Sequence, residues 1–211
     1  MYKIKELYYT LQGEGAHTGR AAVFCRFTGC NLWTGREKDR PKAICQFCDT
    51  DFLGIDGNNG GKYSAVALAK KAASIWAENT TNTQHKYIVC TGGEPLLQLD
   101  TTLINALHQQ GFQVALETNG TIALPEGVDW VCVSPKANTE LLLTKGDELK
   151  LVFPQKDAPP TLYEQLDFTH FYLQPMDGED LHINIAQTLA YCRQYPQWRI
   201  SVQTHKLLFI P

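Results

Sequence analysis

The sequence predicts an α/β fold: a partial, incomplete β/α barrel of about six parallel strands with some of its outer helices trimmed. Three observations predict it. Short β-rich runs recur along the 211 residues, most of them apolar throughout, as expected of parallel strands covered on both faces. Helix-period segments fall between several of these runs. Eight complete βα units need about 250 residues, more than this chain has.

The strands are read at 21–27 (AAVFCRF), 87–91 (YIVCT), 113–118 (QVALET), 130–134 (WVCVS), 149–153 (LKLVF) and 170–174 (HFYLQ), with a further one at 199–203. A helix over 65–78 follows Ser64 as N-cap and sets Val66, Ala69, Ala73 and Trp76 at three- and four-residue steps. A second runs over 101–110 from Asp100 as cap to Gly111 as stop, with Leu103 and Leu107 on one face. A third spans 185–195, after Asn184 and before Pro196. Strands 113–118 and 130–134 lie too close in sequence for a long helix between them. No repeat, charge block or linker divides the chain, so residues 1–211 are expected to form a single domain.

Net charge is −3 and the sequence pI about 6.1, so no global basic field exists to hold nucleic acid. No apolar run approaches the ~18 residues that span a bilayer, and residues 1–6 (MYKIKE) lack the apolar stretch of a signal peptide. A cytoplasmic enzyme with neither nucleic-acid nor membrane partner is the expectation. Seven cysteines, an odd number, argue against a disulfide framework. Cys25, Cys90, Cys132 and Cys192 sit in apolar runs and read as core. Cys30, Cys45 and Cys48 do not.

In such a barrel the chemistry sits on loops after the C-terminal strand ends. Those loops are polar or Gly-rich here: Thr28-Gly29-Cys30-Asn31, Thr91-Gly92-Gly93-Glu94-Pro95, Glu117-Thr118-Asn119-Gly120, Ser134-Pro135-Lys136 and Gln174-Pro175-Met176-Asp177. The first continues to the helix near 64 and spaces its cysteines C-x14-C-x2-C. Three readings are compatible with that spacing. Zinc would need a fourth ligand, for which Cys25 and His17 are candidates. Three unliganded thiols would be an oxidation hazard. A [4Fe–4S] cluster needs only three thiolates if a substrate fills the fourth iron.

The surrounding residues separate these readings. Cys45-Gln46-Phe47-Cys48-Asp49-Thr50, Gly29-Cys30-Asn31-Leu32 and Thr91-Gly92-Gly93-Glu94-Pro95 resemble the radical S-adenosylmethionine (SAM) superfamily. With Leu11-Gln12-Gly13-Glu14-Gly15, Arg26-Phe27-Thr28 and the terminal His205-Lys206-Leu207-Leu208 before Pro211, the whole chain resembles the 7-carboxy-7-deazaguanine synthase family. Most radical SAM enzymes use C-x3-C-x2-C; here Thr34 stands at the usual second position, and an extension over roughly 34–44 precedes Cys45. A subset of the synthase family is similar in carrying the longer form, and a longer loop costs only about 0.6 kcal/mol per doubling.

The resemblance implies a radical SAM domain with cluster-binding loop 28–61. It implies a [4Fe–4S] cluster on Cys30, Cys45 and Cys48, SAM on its open iron, and reductive cleavage of SAM to a 5′-deoxyadenosyl radical. SAM contacts are implied for Phe47, Cys48, Asp49, Gly93, Glu94, Ser134, Pro135, Lys136, Gln174, Pro175, Met176 and Asp177. The implied reaction is ring contraction of 6-carboxy-5,6,7,8-tetrahydropterin to 7-carboxy-7-deazaguanine, with loss of ammonia, for queuosine and related deazapurines. Substrate contacts are implied for Leu11, Gln12, Gly13, Glu14, Arg26, Thr91 and Pro211, and Mg²⁺ for the Thr50 hydroxyl. Glu14 would accept from the guanidine-like edge of the pterin. The guanidinium fork of Arg26 suits the carboxylate, with a structural carboxylate as its other natural partner. Alternation places Phe24 and Arg26 on one face of 21–27 and Val23, Cys25 and Phe27 on the other. His17, His85, His108, His170 and His182 read as surface or core. A homodimer and a flavodoxin or ferredoxin-type reductant are implied as partners. A radical SAM activase acting on a partner protein, and a zinc-stabilised module without catalysis, are the alternatives.

Overall fold

The computed structural model describes residues 1–211 and contains one nine-stranded sheet. In chain order its elements are β1 (Tyr2–Leu11), β2 (Ala21–Phe27), β3 (Gly61–Tyr63), α1 (Ala65–Asn79), β4 (Tyr87–Gly92), α2 (Thr101–Gln109), β5 (Gln113–Thr118), β6 (Trp130–Val133), β7 (Lys145–Phe153), β8 (Asp167–Pro175), α3 (Leu181–Gln194), β9 (Trp198–Ile200) and α4 (Thr204–Leu208). The strand order is β3-β1-β2-β4-β5-β6-β7-β8-β9. From β2 onward every pairing is parallel, giving seven parallel strands. β1 and β3 join antiparallel at one edge. The sheet remains open, as a partial barrel does.

All seven expected strands are present, and the two edge strands are additional. β1 was not read because a bulge between Ile4 and Glu6 breaks its alternation into the burial pattern BeBiiBiiBe. β3 has three residues and exists through pairing with β1.

The helices are fewer than the strands. α1 is capped by Ser64, whose side chain accepts from Ala67 N. Its buried stripe is Leu68, Ala69, Ala72, Ile75 and Trp76; Val66, expected on that face, is exposed. α2 is capped by Asp100, which accepts from Leu103 N, and Gly111, at φ +80°, ends the segment. α3 begins four residues earlier than expected, because the residues it buries are Asn184 and Thr188 while Ile183, Ile185 and Leu189 face outward. No helix links β5 to β6 or β6 to β7.

The main core lies between the sheet's outer face and α1 and α2, with Val23, Cys25 and Phe27 of β2 in it. A second core, around Leu149, Leu151, Leu173 and Trp198, continues under the later strands. Phe24 and Arg26 face the other way, into the concave side, as alternation requires. Cys25, Cys90 and Cys132 are buried and Cys192 is half-buried.

Candidate active site

Two clefts open side by side where the parallel strands end. The first, about 190 Å³, is lined by Cys30, Cys45 and Cys48 and by Phe47 and Asp49 of the same loop. Its opposite walls are Gly93 after β4, Ser134 and Lys136 after β6, and Gln174, Pro175 and Asp177 at the end of β8. The second, about 300 Å³, is lined by Leu11, Gln12, Gly13, Glu14, Arg26 and Pro211. Glu14, Asp49, Thr50, Thr91, Glu117 and Gln203 border both, so the clefts form one continuous site.

Glu94, Pro135 and Met176 line neither cleft. Glu94 is fully buried and its carboxylate accepts from Thr118 Oγ1 (2.7 Å), Asn119 N (2.8 Å) and Leu96 N (3.0 Å). It ties the turn after β4 to the end of β5. Burial pushes its carboxyl up, against the lowering effect of those hydrogen bonds. The Pro135 carbonyl accepts from Gln155 Nε2. Met176 bonds through its main chain to Phe153 and Asn184.

The cysteine loop solves its length problem at its base. The Leu32 carbonyl accepts from Ile44 N (3.1 Å) and Cys45 N (3.4 Å), so the chain leaves at Leu32 and returns beside it. Opposite, the Gly92-Gly93 turn presses against the start of the loop. Glu94 N donates to Gly29 O at 2.8 Å, and a Cβ on Gly93 would lie 2.1 Å from that carbonyl and 3.0 Å from Cys30 Cβ. Glycine is required there for close backbone approach.

An all-thiolate donor set on one cavity wall fits an iron–sulfur cluster. Burial pushes the Cys30 and Cys45 thiols up, and Lys136 opposes this at Cys45. Neither zinc candidate is at hand. Cys25 is buried on the opposite face of β2, and His17 packs on Tyr87 and Trp130 at the N-terminal ends of β4 and β6.

A buried cation lies where the two clefts meet. Lys150, 4% exposed, places Nζ 2.9 Å from Glu14 Oε2 and 2.9 Å from Glu117 Oε2. Burial raises the cost of ionising Glu14, but Lys150, with hydrogen bonds from Lys150 and Gln203, outweighs it and holds the carboxyl below its ordinary value. Gln174 Nε2 (3.1 Å) and Gln203 Nε2 (3.1 Å) donate to Glu14 Oε1, and Gln12 Nε2 donates to Glu117 Oε1 (3.2 Å). Beneath them Glu148 accepts from Ala16 N through Oε2 (3.0 Å), while its buried Oε1 has no partner. Burial pushes its carboxyl up despite Lys150.

Arg26 finds the structural carboxylate of its second reading. Nε donates to Glu6 Oε1 (2.7 Å) and Nη2 to Tyr8 Oη (3.1 Å), while the residue still lines the second cleft. The C-terminal segment lies across that cleft. Thr204 N and Oγ1 both donate to Gly13 O (2.9 Å each), Thr10 Oγ1 donates to Pro211 O (2.8 Å), and Lys206 bridges Asp49 (2.7 Å) and Asp177.

Glu117, Lys150 and Gln203 were missed as site residues. Glu117 stood in a loop marked as polar, and its position on the site side of β5 needed the barrel. Lys150 was legible: in the run LKLVF alternation sets it with Val152, away from buried Leu149 and Leu151. Nothing local in the sequence marks Gln203.

No family model matches the chain. It is 59% identical over 210 residues to 7-carboxy-7-deazaguanine synthase of Caulobacter vibrioides, covering 100% of this chain and 99% of the relative. It is 57% identical over 211 residues to the enzyme of that name from Bordetella pertussis, covering 100% and 99%. The chain belongs to the 7-carboxy-7-deazaguanine synthase family. The crystal structure of QueE from Escherichia coli superposes with a TM-score of 0.71 at 27% identity, covering 96% of this chain and 93% of that one. Membership makes the chain a radical SAM enzyme with a partial-barrel fold, which uses a [4Fe–4S] cluster and SAM.

Proposed function

We propose that the chain converts 6-carboxy-5,6,7,8-tetrahydropterin to 7-carboxy-7-deazaguanine with loss of ammonia, in the continuous double cleft. The observation that carries this is the division of labour between its halves. Three cysteines and a Gly-Gly turn line one; Gln12, Gly13 and an arginine line the other; Glu14, Glu117, Thr50 and Thr91 stand where they meet.

Cys30, Cys45 and Cys48 hold the cluster, which with SAM supplies the one-electron chemistry that removes a hydrogen atom from the substrate. Gly93 lets SAM approach the backbone closely. Ser134, Lys136, Gln174, Pro175, Asp177 and Phe47 bound the rest of its pocket, with Lys136 Nζ 6.0 Å from the centre of the Phe47 ring. Glu94, Pro135 and Met176 contribute by fixing the turns that carry these contacts.

Glu14 is kept ionised by Lys150, so it accepts hydrogen bonds from the guanidine-like edge of the pterin at neutral pH. The main chain of Leu11, Gln12 and Gly13 lies along the same wall. Arg26 offers its remaining edge to the substrate carboxylate, and Thr50 offers its hydroxyl to a Mg²⁺ ion that takes its other ligands from substrate and water. Thr91 and Pro211 complete the pocket. Lys206, bridging Asp49 and Asp177, closes the C-terminal segment over it and excludes water from the reacting atoms. A radical SAM activase would need room for a partner's chain, and residues 204–211 cross that space.

The whole chain acts as one radical SAM domain, with 28–61 as its cluster loop, and works as a cytoplasmic homodimer fed by flavodoxin or a ferredoxin. No helix is long and apolar enough to cross a membrane. The test is anaerobic turnover of reconstituted protein with SAM, Mg²⁺, reductant and 6-carboxytetrahydropterin, read by mass spectrometry. 5′-Deoxyadenosine together with 7-carboxy-7-deazaguanine is the expected result. Deoxyadenosine without the deazaguanine, from cluster-loaded protein, would discard this substrate.

A further inference from the structure

The extension between Cys30 and Cys45 does more than span a gap. Residues 37–42 form a short 3-10 helix, and Arg40 on it turns back toward the C-x2-C segment. Its Nη1 donates to Gln46 O at 2.8 Å and to Cys48 O at 3.0 Å, the carbonyls on either side of Phe47. The other edge of the guanidinium is gripped by Glu37 in a two-point fork, Nε to Oε2 at 2.7 Å and Nη2 to Oε1 at 2.6 Å. One face of it rests 4.0 Å over the Trp33 ring. Trp33 is itself buried, edge-on to Phe52, and Gln46 Nε2 donates back to Pro41 O. The guanidinium is thus held by a carboxylate and an indole, and spends its third nitrogen on the backbone that spaces two of the three cysteines.

We propose that Arg40 is a positioning residue for the iron–sulfur cluster, with Glu37 and Trp33 as its supports. By holding the Gln46 and Cys48 carbonyls on one nitrogen, it fixes the turn that sets Cys45 and Cys48 at cluster-ligating separation. It also places a permanent cation beside the backbone of a ligand. In the short C-x3-C arrangement the chain itself limits how far the cysteines can wander; in this longer loop a side chain from the inserted segment does so. The inference rests on the reading of Cys30, Cys45 and Cys48 as the cluster ligands.

The experiment compares parent, Arg40→Lys, Arg40→Ala, Glu37→Gln and Cys45→Ala proteins, reconstituted anaerobically. Three quantities are read: iron per chain, the rate of iron loss to a ferrous chelator, and the EPR spectrum and midpoint potential of the cluster. Outer partners of metal ligands typically change metal retention about 10- to 100-fold, so Arg40→Ala should release iron faster by that order. Its potential should be more negative, because a cation that favours the reduced, more negative cluster has gone. Arg40→Lys keeps charge without the fork, so it should restore the potential more fully than the retention. Glu37→Gln should release iron at an intermediate rate. The melting temperatures of the metal-free proteins separate this from general unfolding; should Arg40→Ala not fold, Arg40→Lys and Glu37→Gln carry the comparison.

Parent-like iron release and potential in the folded Arg40 and Glu37 variants, with Cys45→Ala unable to hold a cluster, would overturn the proposal and leave the ligand reading intact. A parent-like cluster in Cys45→Ala would overturn the ligand reading instead.

Discussion

The Lys150 ammonium lies 2.9 Å from the Glu14 carboxylate, joining the seventh strand to the turn after the first across the concave face of the sheet. The lysine is buried and the glutamate half-buried, and the same ammonium also holds Glu117. Removing the cation leaves two half-buried carboxylates side by side without their counter-charge. Lys150→Met is therefore expected to cost about 3–5 kcal/mol of stability, the order found when one partner of a buried pair is lost. That is roughly 10 °C in melting temperature for a chain of this size. Thermal unfolding of the metal-free protein reads this directly, and an unchanged melting temperature would contradict the buried-pair account.

The same pair sets a pH dependence. The carboxyl of Glu14 titrates below its unfolded value, since Lys150 and Gln203 outweigh burial. Its contribution to stability is therefore present above the ordinary carboxylate range and lost as pH falls through the lowered folded value. Glu14→Gln should flatten the acid limb of a stability–pH profile and leave the alkaline limb unchanged.

Glu148 behaves in the opposite sense. Burial raises its carboxyl, and one oxygen has no partner, so ionising it costs folding free energy at any pH above its unfolded value. Glu148→Gln is expected to melt higher than the parent at neutral pH. The two curves should converge as the pH falls through the ordinary carboxylate range. Denaturation at a series of pH values measures the crossing; a variant less stable than the parent at pH 7 would show that the charge is compensated.

Gly93→Ala places a methyl group 2.1 Å from the Gly29 carbonyl, a backbone atom that cannot rotate away. The turn and the segment carrying Cys30 must separate. We expect iron content after reconstitution to fall well below the parent's, together with SAM binding, while the far-ultraviolet circular dichroism is kept.

At the other end of the site, deletion of Pro211 removes the carbonyl that Thr10 Oγ1 reaches at 2.8 Å. Turnover should fall with cluster content unchanged, separating the C-terminus from the cluster in a single protein. Unchanged kcat/KM would place the chain end outside the substrate site.

The sequence disclosed the parallel strands because their runs are apolar, and the cysteine loop because three thiols outside those apolar runs call for a reason. It hid β1 because the bulge beyond Ile4 shifts the inward face out of step. It misplaced the start of α3 because Asn184 and Thr188, not the isoleucines, meet the sheet. Glu94 was read as a cofactor contact from its place after Gly-Gly, yet its side chain is spent on Thr118, Asn119 and Leu96. A motif position identifies which turn matters without saying which way the side chain points. Gln203 is reached only through the three-dimensional return of the C-terminus.

The closed base of the cysteine loop changes what a spacing motif means. With Ile44 and Cys45 both donating to Leu32, the distance that chemistry feels is counted through space from Leu32, and the residues between are a detour. Insertions and deletions inside that detour that leave Trp33, Glu37 and Arg40 in place are free of the constraint that governs the cysteines, provided the two ends still meet. Gap length is therefore a poor measure of the metal's surroundings, and a pattern written as a fixed number of intervening residues describes the route of the thread, not the shape of the knot.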